Sequence, residues 1–151
     1  YIKTLNLSET VKQLQAATIE IPNDNSYTKY LFLLGYFYIH GLGVQKNIDF
    51  AFEYFKTAAE NGDVLGSLWL GSCYLENIGT PTTNYENNKR EGIHWYAKSA
   101  KSGNHAAQSF LAEYYTLQPN YDPVKSFRWR NLGAENGNRA AQLVTARLYI
   151  H

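Results

Sequence analysis

The sequence is poor in sulfur: one cysteine, Cys73, and no methionine among 151 residues. A single thiol excludes an internal disulfide framework and a CxxC metal or redox motif. No run of about 18 apolar residues occurs, so no segment reads as a membrane-spanning helix. Neither charge sign dominates, because 14 Lys and Arg face 13 Asp and Glu for a formal net charge of +1. That balance supplies no global basic field for nucleic acid and no acidic tail. The phosphate loop, the nucleophile elbow and the dinucleotide fingerprint are all missing. The chain opens at Tyr1 and reads as a processed form or a piece of something longer, so the lack of a leader or anchor carries no weight. The compartment therefore stays open: cytoplasmic is favoured, with a lumenal or secreted location the alternative.

What the sequence does have is repetition. Glu60-Asn61-Gly62-Asp63 returns as Lys101-Ser102-Gly103-Asn104 and as Glu135-Asn136-Gly137-Asn138. Glycine ends a helix cheaply in the left-handed region, and the Asp or Asn after it can cap the next helix. Each tetrad is thus expected to be a tight joint between two packed helices. The glycines stand 41 and then 34 residues apart, a helical-repeat period.

The flanks share one phase. Upstream of each joint stand AFEYFKTAAENG, GIHWYAKSAKSG and SFRWRNLGAENG. They align small residues (Ala51, Gly92, Ser126), aromatics three positions on (Tyr54, Trp95, Trp129) and a small pair before the joint (Ala58-Ala59, Ser99-Ala100, Gly133-Ala134). That spacing is one helix stripe, small where helices approach closely. Downstream, LWLGSCY, SFLAEYY and LVTARLY align Gly71, Ala112 and Ala146, each with a tyrosine three positions on, and LFLLGYFY supplies an earlier copy at Gly35 and Tyr38. The order is A helix, loop, B helix, joint.

The stretch LGYFYIHGLGVQKNIDFAFEYFKTAAENGD, Leu34 to Asp63, resembles a Sel-one-like repeat (SLR), a relative of the tetratricopeptide repeat. The resemblance covers about residues 27–151 and is strongest in the first unit. The loop pattern GLGV at Gly41–Val44 gives way to ENIGTPTTNYENN and then LQPNYD, so the second loop carries about five extra residues. The resemblance implies an all-α fold, a right-handed superhelical solenoid of antiparallel helix pairs. About three units, near 27–62, 63–103 and 104–137, are followed by a partial one at 138–151. Residues 1–26 form an N-terminal helix and turn covering the first repeat, with Asn6 and Glu9 as a capping box. Helices are expected near 7–19, 27–40, 48–61, 64–77, 88–102, 105–117, 123–136 and 139–151. The last A helix lacks a B partner, which suggests truncation or self-association through an uncapped end.

Stacked helix pairs curve into a superhelix with a concave surface, which the A helices line in the related tetratricopeptide repeats. The corresponding A-helix stripe holds Lys29, Phe32, Tyr36, Ile39 and His40 in the first unit. Leu65, Leu68, Ser72, Leu75 and Glu76 follow in the second, and Ala106, Ser109, Glu113, Thr116 and Leu117 in the third. The last contributes Ala140, Leu143, Arg147, Ile150 and His151. The residues chosen as partner-facing are Lys29, Phe32, Tyr36, His40, Leu68, Ser72, Glu76, Ser109, Glu113 and Arg147. Phe32, Leu65 and Leu68 can equally pack against neighbouring helices. A strip that is apolar and aromatic first, and polar later, suits a peptide or partner protein.

Chemistry finds less support. Ser26-Tyr27-Thr28-Lys29 has the S-x-x-K spacing of serine acyl enzymes, and some bacterial SLR proteins are linked to β-lactam binding. Those relatives are cysteine-rich, however, and this chain has no K-T-G element, so Ser26 reads as a helix N-cap. Glu91-x-x-His94 could offer two metal ligands from one helix, but no second pair is suitably spaced, and both read as solvent-facing. Lys125, Arg128 and Arg130 form a small basic cluster, read as a solvated face. Cys73 reads as an inert buried thiol. The expectation is a protein-interaction module without catalysis, metal or cofactor, with no nucleic-acid partner and no membrane insertion in this segment. The alternatives are a serine-dependent β-lactam-binding enzyme, or a structural, self-associating segment of a larger protein.

Overall fold

The computed structural model describes residues 6–20 and 26–137. Among them are seven α-helices and no strand: α1 (Leu7–Glu20), α2 (Tyr27–His40), α3 (Ile48–Glu60), α4 (Val64–Glu76), α5 (Tyr85–Lys101), α6 (His105–Tyr114) and α7 (Pro123–Glu135). The fold is an all-α repeat in which α2, α4 and α6 are A helices and α3, α5 and α7 are B helices.

The joints form as their residue types require. At the first, Gly62 N donates to Ala59 O at 3.0 Å and Asp63 N donates to Ala58 O at 3.0 Å, which is the Schellman pattern. Gly103 and Asn104 repeat it on Ala100 O and Ser99 O, at 3.0 and 3.1 Å. Gly62 and Gly103 have φ of +90° and +96°, and a Cβ on either would meet nothing within 4 Å. Backbone conformation, not crowding, selects glycine there. The next residue then turns around and caps the following helix. The Asp63 carboxylate accepts from Gly66 N at 2.6 Å and the Asn104 amide oxygen from Ala107 N at 2.9 Å. One residue closes a helix with its backbone and opens another with its side chain.

The chain divides into two compact units, residues 1–92 and 93–151, the division falling inside α5. In the first, α1 packs on α2 through Val11, and the core is Leu31, Leu34, Phe52, Phe55, Leu70 and Cys73 with Ala51, Ala58 and Ala59. Close approach is literal here. A Cβ on Gly35 would stand 2.6 Å from the Phe55 ring, and one on Gly66 2.8 Å from Ala58 Cβ. In the second unit the described core is smaller and more polar: Ala100, Ala107, Leu111 and Ala112 with Ser99, Gln108 and Ser126. Two of its buried polar side chains bond across helices. Gln108 Nε2 donates to Ala100 O and Ser126 Oγ to Ala112 O, each at 2.9 Å, as burial of such groups demands.

Several local expectations are corrected. Helix α5 begins at Tyr85 rather than 88, because Asn84 Oδ1 accepts from Asn87 N at 3.1 Å and starts the helix earlier. Helix α6 stops at Tyr114 rather than 117. There, both the backbone N and the side-chain Oγ1 of Thr116 donate to Glu113 O, and Pro119 bars α geometry at the residue before it. The longer second loop is tied down by hydrogen bonds to Asn88. Asn88, 1% exposed, donates through Nδ2 to Asn77 Oδ1 at 2.6 Å, to Thr82 O at 2.8 Å and to Thr80 Oγ1 at 3.2 Å. Asn6 caps α1 by accepting from Glu9 N at 3.3 Å. Ser26 occupies the N-cap position of α2, but its side chain makes no cap hydrogen bond and its backbone is already α-helical. The expected helix near 139–151 lies outside the described residues.

Candidate functional site

The A-helix face of the first unit is built from α2 and α4. Helix α2 turns Leu31, Leu34 and Gly35 inward, and Gly35 lets it settle onto the ring of Phe55 from α3. With that face committed, Phe32, Tyr36 and His40 recur every four residues and form one ridge. Their ring centroids lie 6.3 Å apart for Phe32–Tyr36 and 4.5 Å for Tyr36–His40. Helix α4 brings Trp69 against the same ridge, edge-on to Tyr36 at 5.5 Å and to His40 at 5.7 Å.

The cluster is anchored from below. Phe55 is fully buried; Trp69 stacks on it at 5.4 Å and Phe32 leans on it at 6.0 Å. Side-chain freedom therefore decreases from solvent to core: His40 and Tyr36 are exposed, Trp69 and Phe32 half-buried, Phe55 enclosed. Aromatic rings held in edge and stacked contacts offer apolar area at low conformational cost. The imidazole and the phenol add polar groups at the outer edge, and Lys29 is exposed one turn toward the start of α2.

The ten selected residues fall as follows. Lys29, Tyr36, His40 and Glu76 are exposed, while Phe32, Leu68 and Ser72 are half-buried. Phe32 makes its ring contacts with Tyr36 and the core residue Phe55, so part of it belongs to packing. Ser72 Oγ donates to Leu68 O of its own helix at 3.3 Å. Ser109 and Glu113 are exposed on α6 of the second unit, and Arg147 lies outside the described residues. The structure thus joins Phe32, Tyr36 and His40 into one cluster. Trp69 is the member that sequence reasoning missed. A signal existed: Phe55 and Trp69 are matched 41 positions later by Tyr96 and Phe110, which stack at 4.3 Å. The A-helix aromatic two positions before the small residue is a repeating stack on the preceding B helix.

Other candidates are quieter. No hydrogen bond joins Ser26 to Lys29 among the described residues, and Lys29 is exposed. Glu91 and His94 are both exposed, with the His94 ring against Trp95 at 5.4 Å. Among the described residues no group of three or more His, Cys, Asp or Glu could hold a metal ion, and no helix is long and apolar enough to cross a membrane. Cys73 is buried, and burial first, then Glu76, pushes its thiol up to about 12. A thiol kept protonated is a poor nucleophile and metal ligand.

Comparison with known proteins agrees with the repeat geometry. The Sel1 repeat pattern matches residues 28–63, 66–104 and 105–138. Among solved structures, a Sel1 repeat protein from Oxalobacter formigenes superposes with a TM-score of 0.75 at 27% identity. That match covers 94% of this chain and 55% of the other. A protective antigen present in uropathogenic Escherichia coli strains, displaying an SLR fold, gives a TM-score of 0.72 at 30% identity over 94% of this chain. This chain spans about half the length of the first and 29% of the second. Sel1 repeats typically act as protein-interaction modules. Three matched repeats and two superposing solenoids give one conclusion: the chain belongs to the Sel1 repeat family.

Proposed function

We propose that this chain is a protein-interaction module with no catalysis of its own, and that it binds a peptide or partner protein through the A-helix face of its first unit. The observation carrying this reading is the aromatic ridge of Tyr36 and His40 set against Trp69, graded from an exposed edge to a buried anchor. Interaction hot spots are enriched in such rigid aromatics seated on a well-packed base. Lys29 and Glu76, both exposed, supply polar groups of either sign, and Leu68 and Ser72 contribute at half burial. Ser109 and Glu113, exposed on α6, are taken as partner-facing residues of the second unit by itself, and Arg147 lies outside the described residues.

The test is a selection of displayed peptides on the wild-type chain, repeated on a Tyr36→Ala, His40→Ala double variant with a matched melting curve. Peptides enriched on the wild type and lost on the variant support the reading. Equal enrichment on both contradicts it. Phe32 is left intact because it packs on Phe55, and its loss would confound binding with folding. For the catalytic alternative, turnover of a chromogenic β-lactam that disappears in Ser26→Ala would overturn the non-catalytic assignment.

A further inference from the structure

The B helices carry a second feature, independent of the A-helix face. In the second unit a cleft of about 360 Å³ is lined by Lys101 from the end of α5, Tyr115 just past α6, and Lys125, Arg128, Trp129 and Leu132 of α7. Its walls are two aromatic rings and a leucine, and its rim is three cations. Lys125 Nζ stands 5.1 Å over the Tyr115 ring and 3.5 Å from Asp122, so it is held in place from two sides. Lys101 and Arg128 are exposed, and neither has a carboxylate partner among the described residues.

The repeat provides an internal control. Aligning Ala51 with Ser126 puts Phe50, Glu53, Tyr54 and Thr57 of α3 at the register of Lys125, Arg128, Trp129 and Leu132. Those four α3 residues also line a cleft, of about 370 Å³, in the first unit. Thr18, Tyr27 and Leu31 complete it. The cleft beside a B helix therefore follows from the repeat, whereas its charge does not: among the described lining residues, one has a single acid and no cation, the other three cations. Nothing in helix packing requires Lys101 and Arg128 at an apolar cavity; desolvating them there favours a negative occupant.

We propose that the cleft beside α7 docks an acidic peptide segment anchored by one bulky apolar side chain. The volume is at the lower end of the range for ligand sites, enough for one large side chain against Trp129, Tyr115 and Leu132. The three cations then meet carboxylates flanking that anchor, with Arg128 able to take one bidentately. A nucleic acid fits less well, because the positive charge is confined to the rim of one small cavity on a chain of net charge +1 rather than forming an extended track.

The experiment is fluorescence anisotropy with a synthetic decapeptide in which one tryptophan or leucine is flanked by aspartates and glutamates. Saturable binding is expected, weakening with salt and at least tenfold weaker to Lys101→Glu, Arg128→Glu. Both residues are exposed, so matched circular dichroism melts check that folding is intact. A Glu53→Lys variant in the first unit should bind as the wild type does, and the Trp129 indole resonance, assigned through Trp129→Phe, should move on titration. Replacing the anchor by serine, or the acids by their amides, should each weaken binding at least tenfold. No binding by the wild type, equal binding by the charge-reversed variant, or full affinity for the anchorless peptide would overturn the proposal.

Discussion

The two units solve one packing problem with different materials. In the first, Phe52, Phe55, Leu34 and Leu70 fill the space between helices, and glycines at 35 and 66 let the helices close on them. In the second, the described core has Leu111 with alanines, and Gln108 and Ser126 bridge helices by hydrogen bonds to carbonyls. The same register is kept: Phe55 and Trp69 stack in one, Tyr96 and Phe110 in the other. The repeat dictates where a ring or a small residue must stand, and leaves burial depth and charge free. Those free properties are where the clefts beside α3 and α7 diverge.

Phe55→Ala should be the most damaging single change. Phe55 is fully buried and supports Trp69 and Phe32 together, so a loss of about 3–5 kcal/mol is expected in denaturant unfolding. Tyr96→Ala, at the matching position but half-buried, should cost roughly half as much, since the loss scales with the area removed from water. Equal losses would mean the second unit relies on its stack as heavily as the first.

Gly35→Val comes next. The added carbons collide with the enclosed Phe55 ring, which has no room to move, for about 1–3 kcal/mol of overpacking. Asp63→Ala should cost about 1 kcal/mol through the lost cap on Gly66 N, and Asn104→Ala a similar amount at the equivalent joint. Thermal melts of the pair test whether the joints are as alike in energy as in geometry.

The remaining effect is on pH dependence. The Cys73 thiol ionises ordinarily near 9.0 but only at about 12 in its buried site. The folded form thus binds the proton more tightly, and the stability this contributes is present below pH 9 and lost as pH rises toward 12. Burial also raises Tyr54 and Tyr74, so the first unit should weaken in alkali. Cys73→Ala should flatten that loss, read as melting temperature between pH 9 and 12. An unchanged slope would assign the loss to the tyrosines.

Helices and joints were legible in the sequence because their signals are local. Gly62-Asp63 and Gly103-Asn104 specify a left-handed residue followed by a cap, and nothing distant overrides them. The A-helix face was legible in part. The ridge of Phe32, Tyr36 and His40 follows from four-residue spacing, but Trp69 arrives from another helix and can be placed only once the stack on Phe55 is known. Ser26 shows the opposite failure: its type suits a cap, yet its backbone continues the helix and its side chain makes no cap hydrogen bond. The cleft beside α7 was invisible because Lys101 and Lys125 are distant in sequence, and the basic cluster Lys125, Arg128 and Arg130 pointed only to a solvated face. Arg130 in fact stands outside that cleft.

The central claim is that the A-helix face of the first unit is the contact surface. It is tested most directly by hydroxyl-radical footprinting of the chain with and without a selected peptide. Tyr36, His40 and Trp69 all react with the radical, and the account predicts that the bound peptide protects these three while Tyr85 and Tyr121, exposed elsewhere, stay reactive. Unchanged oxidation of Tyr36, His40 and Trp69 in a saturated complex would contradict it.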